Sequence, residues 1–244
     1  MIRGLLRLFL ANRIATLAAA FIGLLALLAI TAPWITPYGP LQIGDQPLTP
    51  PSAANWLGTD DLGRDVFTRV IYGCRISLVI AALGVAVSLI AGTAMGLLAG
   101  YFGGLIDGVL SRVTDVMFCL PDILLALVIM AVLGPGFDRI ALAIAIVYTP
   151  IFARVCRGSV LSLRQQPYVE AARAVGVGRG RILLRHILPN VAGPLIVQAT
   201  LSLAFAVLAE AALSFLGLSG QTDAPSWGLM LRRGKDFMEL AWWV

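Results

Sequence analysis

The sequence predicts an all-α, polytopic membrane protein. Of its 244 residues, 59% are hydrophobic and only 13% are charged, whereas roughly 25% of the residues in a soluble domain are charged. Long uncharged runs recur along the chain, and about 20 apolar residues in a helix cross the hydrocarbon core of a bilayer. No long polar linker separates these runs, so residues 1–244 are expected to form a single transmembrane domain.

The first predicted helix covers residues 14–32, an apolar run of about 19 residues. This run is longer than the 7–15 residues of a secretory signal, so it is interpreted as a membrane span. Proline cannot donate the backbone hydrogen bond that a helix interior requires. The prolines that are expected to end this helix are Pro33, Pro37 and Pro40.

Residues 37–74 are predicted to form an ordered segment outside the membrane. They carry four aspartates and two arginines, a net charge of −2, and five prolines. Trp56, Leu57, Val66 and Phe67 lie among them. Because these large apolar side chains favour packing, the segment is predicted to be folded rather than a flexible linker.

Three further predicted helices cover residues 76–106, 105–133 and 140–153, and a fifth lies within 187–218. In the second, Gly92, Gly96 and Gly100 form a GxxxGxxxG series that lets membrane helices approach closely. Packing within one subunit is favoured over a dimer contact. Gly134-Pro135-Gly136 is expected to form a tight external turn.

Three acidic residues fall inside the predicted spans. Asp115 and Asp122 flank Pro121 in the third helix, and Glu210 lies in the fifth. Because ionisable groups at membrane depth are costly, they usually face protein or water. Two interpretations remain open for them. They line the transport pathway, or they serve structure through hydrogen bonding or a position at the level of the lipid headgroups.

The region between residues 154 and 186 carries seven arginines against Glu170, a net charge of +6. Basic loops remain on the cytoplasmic side, so residues 154–190 are predicted to be a cytoplasmic loop. Arg3, Arg7 and Arg13 place the N-terminus on the same side. Residues 240–244 are interpreted as the start of a sixth, truncated apolar run, or else the chain has five helices and an external C-terminus.

The cytoplasmic loop is predicted to contain a short helix-turn-helix. Pro167 suits a first helical turn, and four small or apolar residues recur at helical spacing after it. They are Tyr168, Ala171, Ala172 and Val175. Gly176, Gly178 and Gly180 are expected to break the helix, which restarts over 181–188. Such a helix could dock in the groove of a partner or lie on lipid.

The sequence also carries the motifs of a known family. Glu170-Ala171-Ala172, Gly176 and Leu188-Pro189 resemble the "EAA" coupling loop of binding-protein-dependent ABC transporter permeases. The stretches 55–67 and 210–218 resemble the dipeptide, oligopeptide and nickel branch, specifically its second, dipeptide-permease-C-like subunit. The general pattern has isoleucine three residues before the proline, where this chain has His186. The form with histidine is familiar in the peptide branch.

The resemblance implies the transmembrane domain of a type I ABC importer in a bacterial cytoplasmic membrane. Its partners would be a second permease subunit, two cytoplasmic ATPases and an extracytoplasmic binding protein. The residues that would contact an ATPase or support that contact are Glu170, Ala171, Ala172, Arg173, Gly176, Arg179, Leu188 and Pro189. Those that would form an external cap are Trp56, Leu57, Gly58, Asp60, Gly63, Arg64, Asp65 and Phe67. The candidate pathway residues are Asp115, Asp122 and Glu210.

The sequence predicts no catalytic or cofactor site of its own. It has no G-x-x-x-x-G-K-[ST] motif, so ATP and Mg²⁺ are expected on the partner ATPases. Cys74, Cys119 and Cys156 form no metal motif. A membrane protease is disfavoured because His186 has no second histidine to build a site. Peptide is the expected cargo and nickel the alternative, because soft or imidazole ligands are sparse; nucleic-acid binding is not expected.

Overall fold

The computed structural model describes residues 13–244, and these residues fold almost entirely into helices. The helices are α1 (Arg13–Ile35), α2 (Val66–Phe102), α3 (Gly104–Phe118), α4 (Asp122–Leu133), α5 (Phe137–Leu163), α6 (Pro167–Ala174), α7 (Arg179–Ile182), α8 (Leu188–Phe215) and α9 (Trp227–Gly234). A π-helical turn, Leu183–Ile187, connects α7 to α8. The all-α prediction is confirmed. Arg3 and Arg7 lie outside the described residues.

Among residues 13–244, four helical stretches are long and apolar enough to cross a membrane, and there is a fifth if the bent α3–α4 pair is one span. Those four are α1, α2, α5 and the continuous helix Arg179–Phe215. The described residues divide into two compact units. One contains the residues up to Leu78 together with Thr222–Val244, and the other is Val79–Gln221.

Helix α2 begins earlier than predicted, within the segment expected to be external. The Asp65 carboxylate accepts a hydrogen bond from the Thr68 amide at 2.8 Å and caps the helix, so Val66 and Phe67 lie in its first turn. Its 37 residues extend about 55 Å at 1.5 Å per residue. This length exceeds the hydrocarbon core of about 30 Å, so α2 must project beyond that core.

The glycine series of α2 packs against α5. An added Cβ at Gly92 would lie 2.5 Å from the Phe152 Cβ, and one at Gly96 would lie 2.5 Å from the Cys156 Cβ. At Gly100 it would lie 2.7 Å from the Val160 Cβ. Because these distances leave no room for a side chain, the small residues permit close helix packing within the chain.

The predicted third helix is two helices rather than one. Helix α3 ends at Phe118, and α4 begins at Asp122 after a bend of 96°. Pro121 occupies the N-cap position of α4 with an extended ψ of 140°. Proline has no N–H for the hydrogen-bond ladder and disfavours a helical conformation at the preceding Leu120, so Pro121 favours a break in the helix expected over 105–133.

Helix α5 is longer than predicted and contains part of the basic region. It runs to Leu163, so Arg154 and Arg157 are helical and Arg164 is its C-cap residue. The region that follows α5 is therefore less basic than the sequence suggested. From Arg164 to His186, five arginines and Glu170 leave a net charge of +4 with histidine neutral.

The described residues after α9 adopt turns. A single 3₁₀ turn, Lys235–Phe237, follows α9, and residues 241–244 lie in turns. The indole N–H of Trp243 donates to the Thr59 carbonyl at 3.3 Å, and Ala241 is buried. These residues therefore pack on the segment that precedes α2.

Candidate functional site

Helix α6 presents two distinct faces. Val169 and Ala172, one turn apart, are buried, whereas Tyr168, Ala171 and Val175 are exposed. The single apolar face predicted from Tyr168, Ala171, Ala172 and Val175 is therefore divided. Ala172 anchors the helix together with Val169, which the sequence analysis did not select. Tyr168, Ala171 and Val175 remain accessible, and the exposed Glu170 lies beside them.

The start of α6 follows the predicted chemistry. Gln166 has an extended conformation with ψ at 143°, and Pro167 occupies the first turn. The fixed φ of proline suits that turn, and its missing N–H is not needed there. Glu170 also lies in the first turn, where its negative charge interacts favourably with the helix dipole.

Gly176 terminates α6 through a Schellman motif. Its φ is +79°, a left-handed conformation that glycine adopts without a Cβ penalty. The Val177 amide donates to the Ala172 carbonyl at 3.0 Å, and the Gly176 amide donates to the Arg173 carbonyl at 3.0 Å. Both bonds satisfy carbonyls at the helix end. The glycine six residues after Glu170 therefore has a defined backbone role.

The other two glycines of the loop behave differently from each other. Gly178 has an extended conformation and precedes α7, as predicted. Gly180 lies inside α7, so the expectation that it breaks the helix is wrong. Buried Ile182 and Ile187 hold this stretch against the protein, and Pro189 lies in the first turn of α8. His186 lies in the π-helical turn, and its backbone carbonyl accepts a hydrogen bond from the side-chain amide of Asn190 at 2.6 Å.

Arg173 and Arg179 line a cavity of about 430 Å³ together with Tyr101, Phe102 and Ile182. The Arg173 guanidinium lies 5.2 Å from the centre of the Tyr101 ring, a cation–π contact. Arg173 therefore contacts the end of α2 within its own chain. The predicted role of both arginines is compatible with bracing the loop against α2.

The segment before α2 is organised around Asp60. Its carboxylate accepts from the amides of Leu62 and Arg64, each at 2.9 Å, and from the Arg64 Nε at 2.7 Å. Arg64 is almost completely buried and also lies 3.3 Å from Asp223. The two predicted residues Asp60 and Arg64 thus form a buried ion pair that holds the loop in one shape.

The remaining predicted cap residues belong to the same structure. Asp65 accepts from the Asn55 side-chain amide at 2.9 Å in addition to capping α2. Gly58 and Gly63 have positive φ, and an added Cβ at Gly63 would lie against the Gly44 carbonyl. Trp56 and Phe67 have ring centroids 5.0 Å apart. Trp56 and Leu57 are exposed, so they offer an apolar surface on an otherwise fixed segment.

Two residues that complete this cluster, Asp223 and Arg233, were not predicted from the sequence. Arg233 in α9 donates to the Asp223 carboxylate at 2.7 Å. This hydrogen bond is the main reason that the pKa of Asp223 lies below its usual value, and nearby Arg64 lowers it further. Because Asp223 and Arg64 are more than 150 positions apart, no local sequence signal could have joined them.

The three candidate pathway acids have different surroundings. Asp115 in α3 pairs with Arg154 in α5 at 3.1 Å, and each side chain is more than half exposed. Asp122 lies in the first turn of α4, beside the break. Glu210 is fully buried and accepts from the Ser214 hydroxyl at 2.8 Å. Of these three side chains, Glu210 is the one that the described residues enclose.

A second ion pair links the same two helices. The Asp107 carboxylate receives two hydrogen bonds from the Arg157 guanidinium, at 2.5 and 2.8 Å, and a third from Ser111 at 3.1 Å. Arg157 was expected in a loop, and Asp107 was not predicted from the sequence to be its partner. The length of α5 was the missing information, because it determines which arginines can reach α3.

Family models match most of the chain. Residues 92–240 match the binding-protein-dependent transport system inner membrane component family. Residues 1–51 match the N-terminal TM domain of oligopeptide transport permease C. The first match covers more than half of the chain and includes both the α6 loop and the three candidate pathway acids.

Curated relatives extend the similarity to nearly the whole sequence. The dipeptide transport system permease protein DppC of Alkalihalophilus pseudofirmus is 46% identical over 96% of this chain and 77% of the relative. The di/tripeptide transport system permease protein DppC of Pseudomonas aeruginosa is 44% identical over 92% of this chain and 76% of the relative.

Solved structures share the fold. A structure described as inward-facing conformations of the MetNI methionine ABC transporter aligns with a TM-score of 0.56. The alignment covers 71% of this chain and 82% of that chain at 18% identity. This similarity confirms the fold of an ABC transporter membrane domain.

Proposed function

Since this chain belongs to the binding-protein-dependent transport system inner membrane component family, we propose that it translocates di- or oligopeptides as the permease subunit of an ATP-driven importer. Its family is described as an inner membrane component, its relatives are named as transport permeases, and the chain has several helices able to cross a membrane. The family implies an ATPase and a binding protein as partners. The peptide cargo is inferred from the relatives, whose names specify dipeptides and di- or tripeptides.

The observation that carries the proposal is the exposed surface of α6. Tyr168, Ala171 and Val175 project from a helix whose opposite side is anchored by Val169 and Ala172. A short helix fixed on one side and accessible on the other can transmit a push from a soluble partner. Glu170 adds a charge that a basic group of an ATPase would pair with.

The arginines of the loop would support this contact from the protein side. Arg173 stacks on Tyr101, and Arg179 lines the same cavity. Leu188 and Pro189 begin α8 immediately after the loop, so motion of α6 and α7 would pass directly into a membrane span. In this proposal ATP binding favours one of two states of the assembly, and the loop connects the ATPase to the helices.

The proposed topology places the N-terminus and the α6 loop in the cytoplasm. The loop from Arg164 to His186 carries five arginines and the segment before α2 carries only Arg64, as the positive-inside rule predicts for a cytoplasmic loop and an external segment. The complete transporter would contain a second homologous permease, two cytoplasmic ATPases and an extracytoplasmic binding protein. ATP and Mg²⁺ would bind the ATPases rather than this chain.

The segment built on Asp60, Arg64 and Asp65 is proposed to cap the outer mouth. Its internal ion pairs and tight glycines fix its shape, while Trp56 and Leu57 remain exposed. A rigid surface with exposed apolar side chains suits contact with the partner permease or the binding protein. Asp115 and Asp122 are proposed to face the pathway, because exposed charges within a span require water or protein around them.

The proposal is tested by uptake into proteoliposomes that contain both permeases and both ATPases. Labelled di- and tetrapeptides should enter only when ATP and the binding protein are present. Nickel, measured in parallel, should not accumulate above the level without ATP. Nickel uptake without peptide uptake would instead establish the alternative cargo, and uptake independent of ATP would refute an ABC importer.

A further inference from the structure

Two ion pairs connect α3 to α5, and they differ in how firmly they are held. Asp107 and Arg157 share two hydrogen bonds, Ser111 adds a third, and the Asp107 side chain is only 20% exposed. Asp115 and Arg154 share one contact of 3.1 Å, with side chains 58% and 59% exposed. The first pair is therefore more extensively hydrogen-bonded and less exposed than the second.

The Asp115–Arg154 pair borders a polar cavity. The cavity has a volume of about 270 Å³ and is lined by Ser111, Thr114, Asp115, Arg154 and Arg157 together with small residues of α2. At about 30 Å³ per water molecule it is large enough for several waters or for the ionised end of a small molecule. Opposite charges therefore lie beside a space among the helices that is large enough to hold water.

The setting of this pair favours a hydrated pathway over contact with lipid. Arg154 lies nine residues before the end of α5, about 14 Å along the helix axis. An exposed carboxylate at that level is costly against hydrocarbon, and Asp115 would repel the phosphate of a lipid headgroup. Hydrocarbon contact falls instead to Leu105, Val109 and Val116, which are exposed on another side of α3.

The guanidinium of Arg154 has hydrogen-bond donors that its contact with Asp115 does not use. The ring of Phe118 lies 4.0 Å from its guanidinium carbon, so one face is occupied by a cation–π contact. Its contact with Asp115 uses one terminal nitrogen, whereas a guanidinium carries five N–H donors in a planar fork. That fork matches the geometry of a carboxylate.

We propose that Asp115 and Arg154 form an exchangeable subsite for the ionised ends of the cargo, with Arg154 receiving a carboxylate and Asp115 receiving an ammonium group. This inference rests on the proposed peptide cargo. A peptide carries both charges, and each loses water of hydration inside the membrane. An exposed ion pair contributes little to stability, so it can open and exchange partners at little cost.

The test uses Asp115→Asn, Arg154→Gln and the charge-swapped double variant Asp115→Arg/Arg154→Asp in the complete transporter. Because a hydrogen bond to a charged group contributes about 1.5–3 kcal/mol, each single variant should lower dipeptide uptake by about tenfold or more. ATPase activity stimulated by the binding protein should persist, because the coupling loop is unchanged. Asp138→Asn, at an exposed carboxylate in the first turn of α5, serves as the control and should retain wild-type uptake.

The swapped variant separates ligand binding from simple structural pairing. It restores an ion pair between α3 and α5 but reverses the charges offered to the cargo, so uptake should remain low. Restored uptake in the swap, or near wild-type uptake in both single variants, would overturn the subsite. A wild-type transporter that takes up no peptide at all would instead refute the proposed function, and this inference with it.

Discussion

Gly176 is a single residue on which the shape of the proposed coupling loop depends. Its φ of +79° is unfavourable for residues with a side chain, although an added Cβ would meet no atom within 4 Å. The penalty of a substitution is therefore one of backbone conformation. The sequence motif predicted that glycine stands here, and the structure supplies the reason.

We expect Gly176→Ala to destabilise the end of α6 by roughly 1–2 kcal/mol, the cost of a left-handed alanine. Hydrogen exchange of the α6 amides should accelerate by about 5- to 30-fold. Gly178→Ala is the matched control, because Gly178 has a φ of −61° and similar open space. Equal exchange rates in the two variants would show that the left-handed turn is not required.

Asp223 gives a residue-scale prediction for pH. Its pKa is lowered below the ordinary value of 3.8, chiefly by the hydrogen bond from Arg233. A carboxyl group whose pKa is lower in the folded state stabilises the protein above its unfolded pKa. That contribution is lost as the pH falls through the folded pKa.

We therefore expect Asp223→Asn to lower the melting temperature of the purified protein at pH 7 by a small amount, because the carboxylate is partly exposed. The difference between variant and wild type should shrink steadily below about pH 4. Thermal unfolding across a pH series provides the measurement. A difference that is constant with pH would mean that the charge of Asp223 is not responsible.

At the scale of elements, regular sequence patterns predicted the helices better than they predicted the breaks between helices. Apolar runs identified the spans, and the glycine spacing of α2 identified a close helix contact. Pro121 was visible in the sequence, yet the 96° bend that follows from it was not predicted. Whether a proline kinks a helix or separates two depends on packing that lies outside the local sequence.

The α2–α5 contact provides a test at this scale. Gly96→Ala would place a Cβ 2.5 Å from the Cys156 Cβ and 2.6 Å from the Ala153 carbonyl oxygen. The backbone oxygen cannot rotate away, so the free energy of unfolding should fall by about 1–3 kcal/mol. Gly108→Ala in α3, with no atom within 4 Å, should be neutral or stabilising by up to about 1 kcal/mol. Thermal unfolding in detergent compares the two.

The α6 loop illustrates what sequence periodicity can and cannot specify. The helix, its proline start and its glycine end were all predicted correctly. The buried side was not, because the small residues Ala171 and Ala172 are equally suited to either face. Only the position of Val169 against the protein decides that Ala172 turns inward and Ala171 outward.

At the scale of the whole molecule, the sequence predicted a multi-span, all-α membrane domain from composition and charge. It could not predict contacts between distant segments, such as Arg64 with Asp223 or Trp243 with Thr59. These contacts join residues more than 150 positions apart, and their pairing depends on the complete fold. The Asp107–Arg157 pair was not predicted either, because it depends on how far α5 extends.

A charge reversal in the loop tests coupling across the assembly. Glu170→Lys should lower ATP-driven peptide uptake by about tenfold or more, since a charged contact with the ATPase would become repulsive. Insertion into the membrane should be unaffected. Glu239→Lys makes the same change of charge at an exposed site and should retain uptake. Unchanged uptake in Glu170→Lys would remove Glu170 from the proposed contact.

The most direct measurement of the central proposal is photo-crosslinking from α6 in the assembled complex. A photoreactive amino acid at Val175, which is 79% exposed, should form a covalent product with an ATPase subunit. The same group at Leu105, which is 85% exposed on α3, should react with lipid instead. We predict that the probe at Val175 crosslinks to the ATPase and that the probe at Leu105 does not. Products with lipid only, from both sites, would contradict the docking of this loop on an ATPase.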